Sequence, residues 1–261
     1  MRNFEEILSS ITDVEVCEQL YNLPIFHTTF NKYSQTIFEN KKLEVVECAV
    51  LKEKALYFFY GKPNYKSSKG NVNTTTKEWN PICIILKMET ISRKVSHIFP
   101  FDSGAFNANL YSTVFEGNLT LKEYDLNANT DLIKKFLSIF YISLEDYLDG
   151  NVSKKLEEKN SQQITNCYKL YTMEGDALKF DDRSRTIEIV VNNSVEINEK
   201  NIELIIAPSS LRKNVEECFK NVRVEYYNNR NLGNPHDNYG KIDYIANKYI
   251  LEEWRIKNEQ I

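Results

Sequence analysis

The chain has 261 residues, 42% of them apolar, which fills the core of one large domain or two small ones and excludes a disordered chain. Its 33 Lys and Arg against 37 Asp and Glu leave a net charge of −4, so the surface as a whole does not attract polyanions, while a local basic patch stays open. Five widely spaced cysteines form no CxxC pair and have no close His, which argues against a disulfide framework or a structural zinc site and for reduced, mostly buried thiols.

No run approaches the ~20 apolar residues of a membrane helix, and the N-terminal residues lack a continuous apolar signal region, so a cytoplasmic protein with no membrane partner is expected. The 16 Tyr and 14 Phe favour strands and pocket walls, and predict substantial sheet.

In chain order, Phe4, Ile7, Leu8, Ile11, Val14, Val16 and Leu20 recur at mostly helical spacing and predict an N-terminal helix over about 3–21. A strand at 23–28 and a helix near 31–40 follow. The aromatic run Ala55 to Tyr60 predicts a buried strand closed by the turn Gly61-Lys62-Pro63-Asn64. The polar stretch 67–76 reads as a surface loop, and the wider segment 66–79 as either a lid or an element that reads an acceptor.

Pro81 to Lys87 is apolar almost without alternation and reads as a central strand. Phe99 to Phe106 reads as an irregular aromatic loop. One helix is expected over 131–148, with Thr130 as its cap, an apolar face from Leu132 to Leu148, and Gly150 at its end. The charged, amide-rich stretch 149–165 is either a loop or a solvated helix.

From 184 the pattern becomes strand, turn, strand: Thr186–Val191, then 192–194, then Val195–Ile197. Ile202 to Pro208 is a further buried strand, Ser209 starts a helix through Phe219, and Val222–Tyr227 is a strand. A C-terminal helix over about 239–256 closes the chain. Each half alone has too few strands to close a sheet, so a single α+β domain over 1–261 is expected.

Three separated pieces carry candidate chemistry. His27 and Thr29 lie two residues apart on a strand and share a face. The aromatic strand ends in Tyr60-Gly61-Lys62-Pro63-Asn64-Tyr65. Glu188 is one acid in an otherwise apolar strand, with Thr186 and Val190 on its own face. Each also has an ordinary reading: His27 as a satisfied strand-end residue, Glu188 as an acid on a solvated strand face, Tyr57 to Tyr60 as packing. Asp102-Ser103-Gly104 has no triad pattern around it, and His97 and His236 have no metal-ligand spacing.

Taken together, the His-x-Thr strand, the helix ending before Leu43, the aromatic strand with its Pro-containing loop, and the acid-bearing strand with its hairpin return to Ile205-Ile206-Ala207-Pro208 resemble the ADP-ribosyltransferase fold. The similarity is to the branch with a His, Tyr and Glu signature, which includes diphtheria-toxin-type enzymes and DNA-modifying toxins. It covers roughly residues 20–210 in outline.

The resemblance implies a split mixed sheet of ADP-ribosyltransferase type with flanking helices, and transfer of ADP-ribose from NAD to a macromolecule. By the same resemblance Glu188 hydrogen-bonds the NAD ribose and orients the acceptor. His27 binds the ribose, Thr29 supports it, and Tyr60 or Tyr65 stacks on nicotinamide, with Tyr57 competing for that role. A toxin or a phage-defence or counter-defence factor is the implied setting.

The chain departs from many members that modify protein side chains, which carry an acid or Gln where Thr186 stands; this argues against arginine-directed transfer and leaves the acceptor, protein or nucleic acid, open. No match to the basic set of the tRNA 2′-phosphotransferases is seen. The alternatives are a non-catalytic binding protein on the same scaffold and an NAD glycohydrolase.

Overall fold

Buried on both faces, the strand Pro81–Leu86 is the spine of the molecule, and its uninterrupted apolar run is the reason. The computed structural model describes residues 3–64, 77–154, 161–173, 182–229 and 235–259. Within them the strands are β1 (Ile25–Phe30), β2 (Lys42–Leu43), β3 (Val46–Cys48), β4 (Glu53–Tyr60), β5 (Pro81–Leu86), β6 (Val95–Phe99), β7 (Glu188–Val191), β8 (Val195–Glu196), β9 (Ile202–Pro208) and β10 (Val224–Tyr227).

The main sheet runs β10-β9-β5-β1-β4-β7-β6, with β3 added on β4 and a separate β2–β8 ladder. Its ladders are antiparallel except β9–β10, which the helix Arg212–Cys218 connects as a parallel crossover. The mixed sheet and the helices around it form one α+β domain.

The helices are α1 (Phe4–Ser10), α2 (Ser34–Asn40), α3 (Ser103–Asn107), α4 (Asp131–Ser138), α5 (Leu144–Asp149), α6 (Gln162–Thr172), α7 (Arg212–Cys218) and α8 (Tyr239–Tyr249). A π-turn over Ile250–Trp254 and a last helical segment Arg255–Glu259 continue α8, close to the expected C-terminal helix. α8 packs on β5, β9 and β10, α2 on α7, and α1 on α4. Among the described residues no helix is long and apolar enough to cross a membrane.

Two helix expectations are corrected. The N-terminal helix ends at Ser10 instead of 21. Ile11 is extended, and the β-branched and acidic residues of Ile11-Thr12-Asp13-Val14-Glu15-Val16 favour that conformation over a helix, leaving only a 3-10 turn at Glu18–Leu20.

The helix expected over 131–148 is two helices. Ser143 accepts a hydrogen bond from the Asp146 amide at 3.1 Å and starts α5, while the Phe140 carbonyl accepts from the amides of Ser153 and Lys154. Thr130 stands before α4 without a capping hydrogen bond, whereas Gly150 ends α5 at φ 70° as its position suggests. Within the aromatic segment 99–106, Asp102 caps the short α3.

The turn after β4 is unusually enclosed, since Gly61 to Asn64 are all buried. The Gly61 amide donates to the Pro24 carbonyl at 2.9 Å, and the Tyr147 hydroxyl donates to the Tyr60 carbonyl at 2.5 Å. Gly61 adopts φ 72°, and a Cβ there would lie 2.6 Å from Leu23 Cδ1 and 3.0 Å from Tyr147 Cε1. Gly61→Ala therefore combines a strained backbone with a core clash and is expected to cost about 2–3 kcal/mol in urea unfolding. A loss under about 0.5 kcal/mol would show that the turn relaxes freely.

Candidate functional site

β1 pairs with β5 along all six of its residues but with β4 only at Ile25↔Tyr60 and Phe26↔Phe59, after which the two strands part. The Tyr60 amide donates to Ile187 on the β7 side, so the backbone of Tyr57, three residues earlier, points the opposite way, toward β1. An interior carbonyl facing a gap needs a donor. His27 supplies it: its Nδ1–H donates to the Tyr57 carbonyl at 2.9 Å.

That bond fixes the tautomer and leaves Nε2 as a lone-pair acceptor, without a hydrogen-bond partner among the described residues. The half-buried ring packs against Phe58 at 5.7 Å, and burial pushes its pKa below the ordinary histidine value, against the opposing pull of the Tyr57 bond. His27 is thus a neutral imidazole at neutral pH. Thr29, two residues on, sits half-buried opposite Ile82 on the β5 side.

Glu188 lies in one cross-strand row with Phe26, Phe59 and Phe99. Far from standing on a solvated strand face, it is 2% exposed. The loop leaving β6 folds back over it: the Ser103 amide donates to Glu188 Oε1 at 3.3 Å, and the Ser103 side chain bonds to it as well. Asp102 positions that loop, its amide donating to the Arg183 carbonyl and its Oδ1 accepting from the Ala105 amide at 2.6 Å.

Burial, reinforced by the negative charge of Asp102, raises the Glu188 carboxyl well above the ordinary range, and the Ser103 bonds only partly oppose this. Tyr57 shares the Glu188 face, two residues from Phe59, and its hydroxyl donates to Cys48 Sγ at 2.6 Å. Burial raises the Tyr57 pKa first, with Cys48 and Glu188 adding to it.

His27 is one residue off the Glu188 row and two strands away, about 10 Å between Cα atoms. By alternation the two side chains start from opposite sheet faces, and β4 lies between their strands. His27 offers a neutral hydrogen-bond acceptor, and Glu188 a desolvated carboxyl.

Tyr60 is placed differently: its buried hydroxyl donates to the Leu20 carbonyl at 2.9 Å and accepts from the Leu23 amide at 3.0 Å, pegging the chain before β1 to the sheet. Tyr65 lies outside the described residues, as does the loop 66–79 up to residue 76. Lys62 is buried, donating to the Tyr147 carbonyl at 3.1 Å.

Asp102, Ser103 and Cys48 are the neighbours of Glu188 that sequence reasoning left out of the site. A signal existed for two of them, because Asp102 before Ser103-Gly104-Ala105 is an N-cap pattern that plants a turn at the end of β6. His97, by contrast, donates to Asp125 at 2.5 Å and lies 3.2 Å from Glu53, an arrangement with no local sequence signature.

Comparison with family models, with curated proteins and with solved structures finds no match to this chain.

The buried carboxyl has a measurable cost. Its folded pKa lies above the unfolded value of about 4.3, so its stabilising contribution is complete below that pH and is lost as pH rises toward the folded pKa. Glu188→Gln removes the titration. The variant is expected to melt a few degrees above the parent at pH 8, with the gap closing toward pH 4.5. Melting curves that keep one constant gap across this range would contradict the assignment.

Proposed function

We propose that the chain transfers ADP-ribose from NAD to a macromolecular acceptor, using Glu188 and His27 in a split sheet of the ADP-ribosyltransferase type. The observation that carries this reading is that the His-x-Thr strand, the aromatic strand and the acid strand, far apart in sequence, are adjacent in the sheet as β1-β4-β7, with β1 and β4 parting beside the Glu188 row.

In this reading, the bond between the ribose C1′ and the nicotinamide nitrogen breaks with its electron pair going to nitrogen, and neutral nicotinamide leaves. Positive charge on the ribose faces the ionised Glu188 carboxylate in a site with little water, where the attraction is strong. The acceptor lone pair closes on C1′, and its proton passes to Glu188. His27 Nε2 accepts a hydrogen bond from a ribose hydroxyl, and Thr29 supports it.

The raised pKa of Glu188 is compatible with this role because the cationic nicotinamide ring of bound NAD favours the carboxylate. Of the three candidate tyrosines, Tyr57 replaces Tyr60 as the ring for nicotinamide: it lies on the Glu188 face, while the Tyr60 hydroxyl is committed to Leu20 and Leu23.

Nicotinamide release from NAD, followed with and without cell lysate, tests the reading. Glu188→Gln is expected to lower the rate roughly 10²–10³-fold with the fold intact, as loss of a transition-state electrostatic contact does. Labelled ADP-ribose on a macromolecule identifies transfer, and free ADP-ribose alone identifies a glycohydrolase. An unchanged rate in the variant, or no NAD binding by the parent, would overturn the proposal and leave a binding protein.

A further inference from the structure

Where β1 ends, the chain builds an exposed aromatic platform. Asn31, just past the end of β1, ties two short turns together: its amide donates to the Asn80 carbonyl at 2.8 Å and its side chain to the Lys77 carbonyl at 2.9 Å. The turns Asn31–Tyr33 and Lys77–Trp79 are thereby held side by side. Trp79 is 39% exposed and Tyr33 50% exposed, and Phe30 meets Trp79 edge-on at 5.4 Å.

The Lys32 ammonium stands 4.2 Å from the Trp79 ring centre and 4.7 Å from that of Tyr33. A cation beside two solvent-facing rings is the chemistry that takes a flat base together with its phosphate. Large exposed aromatics held rigid in this way are otherwise a cost to a soluble chain.

The platform is continuous with the site already described. Among the described residues the β1–β4 ladder ends at Phe26, and His27 stands about 10 Å along β1 from the last residue of the strand, where the platform begins. That is the separation over which a pyrophosphate joins two nucleosides.

We infer that Trp79, Tyr33 and Lys32 form the subsite for an adenosine phosphate, the half of NAD remote from the reacting ribose. This rests on the proposed use of NAD. Adenine stacks on the ring of Trp79 or Tyr33, and Lys32 moves from the rings to the phosphate. A nucleic-acid strand is the less favoured occupant, because the chain carries a net charge of −4 and such strands are held chiefly through their phosphates.

The test uses AMP and nicotinamide mononucleotide as separate probes, read by calorimetry and by tryptophan fluorescence in a Trp254→Phe background, which leaves Trp79 as the reporter. AMP is expected to quench Trp79, and Trp79→Ala to weaken AMP binding roughly tenfold or more, as loss of one base-stacking ring does. Lys32→Ala and Tyr33→Ala are exposed-site variants that should weaken AMP in the same sense. Nicotinamide mononucleotide binding should be unchanged in all three.

AMP affinity unaltered in Trp79→Ala, or quenching by an oligothymidylate and not by AMP, overturns the inference even if NAD is cleaved. Quenching by AMP in a protein that neither binds nicotinamide mononucleotide nor cleaves NAD would keep the platform and remove the transferase reading.

Discussion

The hydrogen bond from His27 Nδ1 to the Tyr57 carbonyl is the contact on which the candidate site depends. A sheet interior tolerates a parting of strands only if the backbone groups exposed by it find partners. Here a side chain takes the place of a strand. The same bond settles which imidazole nitrogen is left for a ligand, so the sheet geometry and the chemistry of His27 are one constraint. Replacing that ring by an apolar residue would strand the Tyr57 carbonyl and blunt the gap at the same time.

Around this gap the core is asymmetric. One face of β4, β7 and β6 belongs to the large cluster with α1 and α4, through Phe58, Ile189 and Ile98. The other carries a smaller cluster of Ala55, Phe99 and Val190, with Tyr57, Cys48 and Leu121 against it. Glu188 sits among the second group. The Asp102-Ser103 turn at the end of β6 folds over it and is held there by the Ser103 and Arg183 hydrogen bonds.

Much of the sheet was legible in sequence because β5, β7 and β9 are buried runs bounded by turn residues, and such runs have few alternatives. Helix ends were less legible. The apolar spacing of residues 3–21 continues past Ser10, yet β-branched residues there prefer extended backbone, and Ser143 restarts a helix that periodicity alone would carry through. For the site, the strand positions of His27, Thr29 and Glu188 followed from local pattern. The carbonyl bonded by His27, the turn covering Glu188 and the burial of Tyr60 are contacts between segments far apart in sequence, and no spacing rule encodes them.

Tyr60 also links assembly of the molecule to its first residues. Its hydroxyl is satisfied by backbone groups of Leu20 and Leu23, and its carbonyl by the hydroxyl of Tyr147. The strand that borders the gap is therefore clamped at one end by the N-terminal segment and by α5. Two segments far apart in sequence, residues 20–23 and Tyr147, thus meet on the one residue that ends β4, and the wall of the gap is held from both sides of the chain.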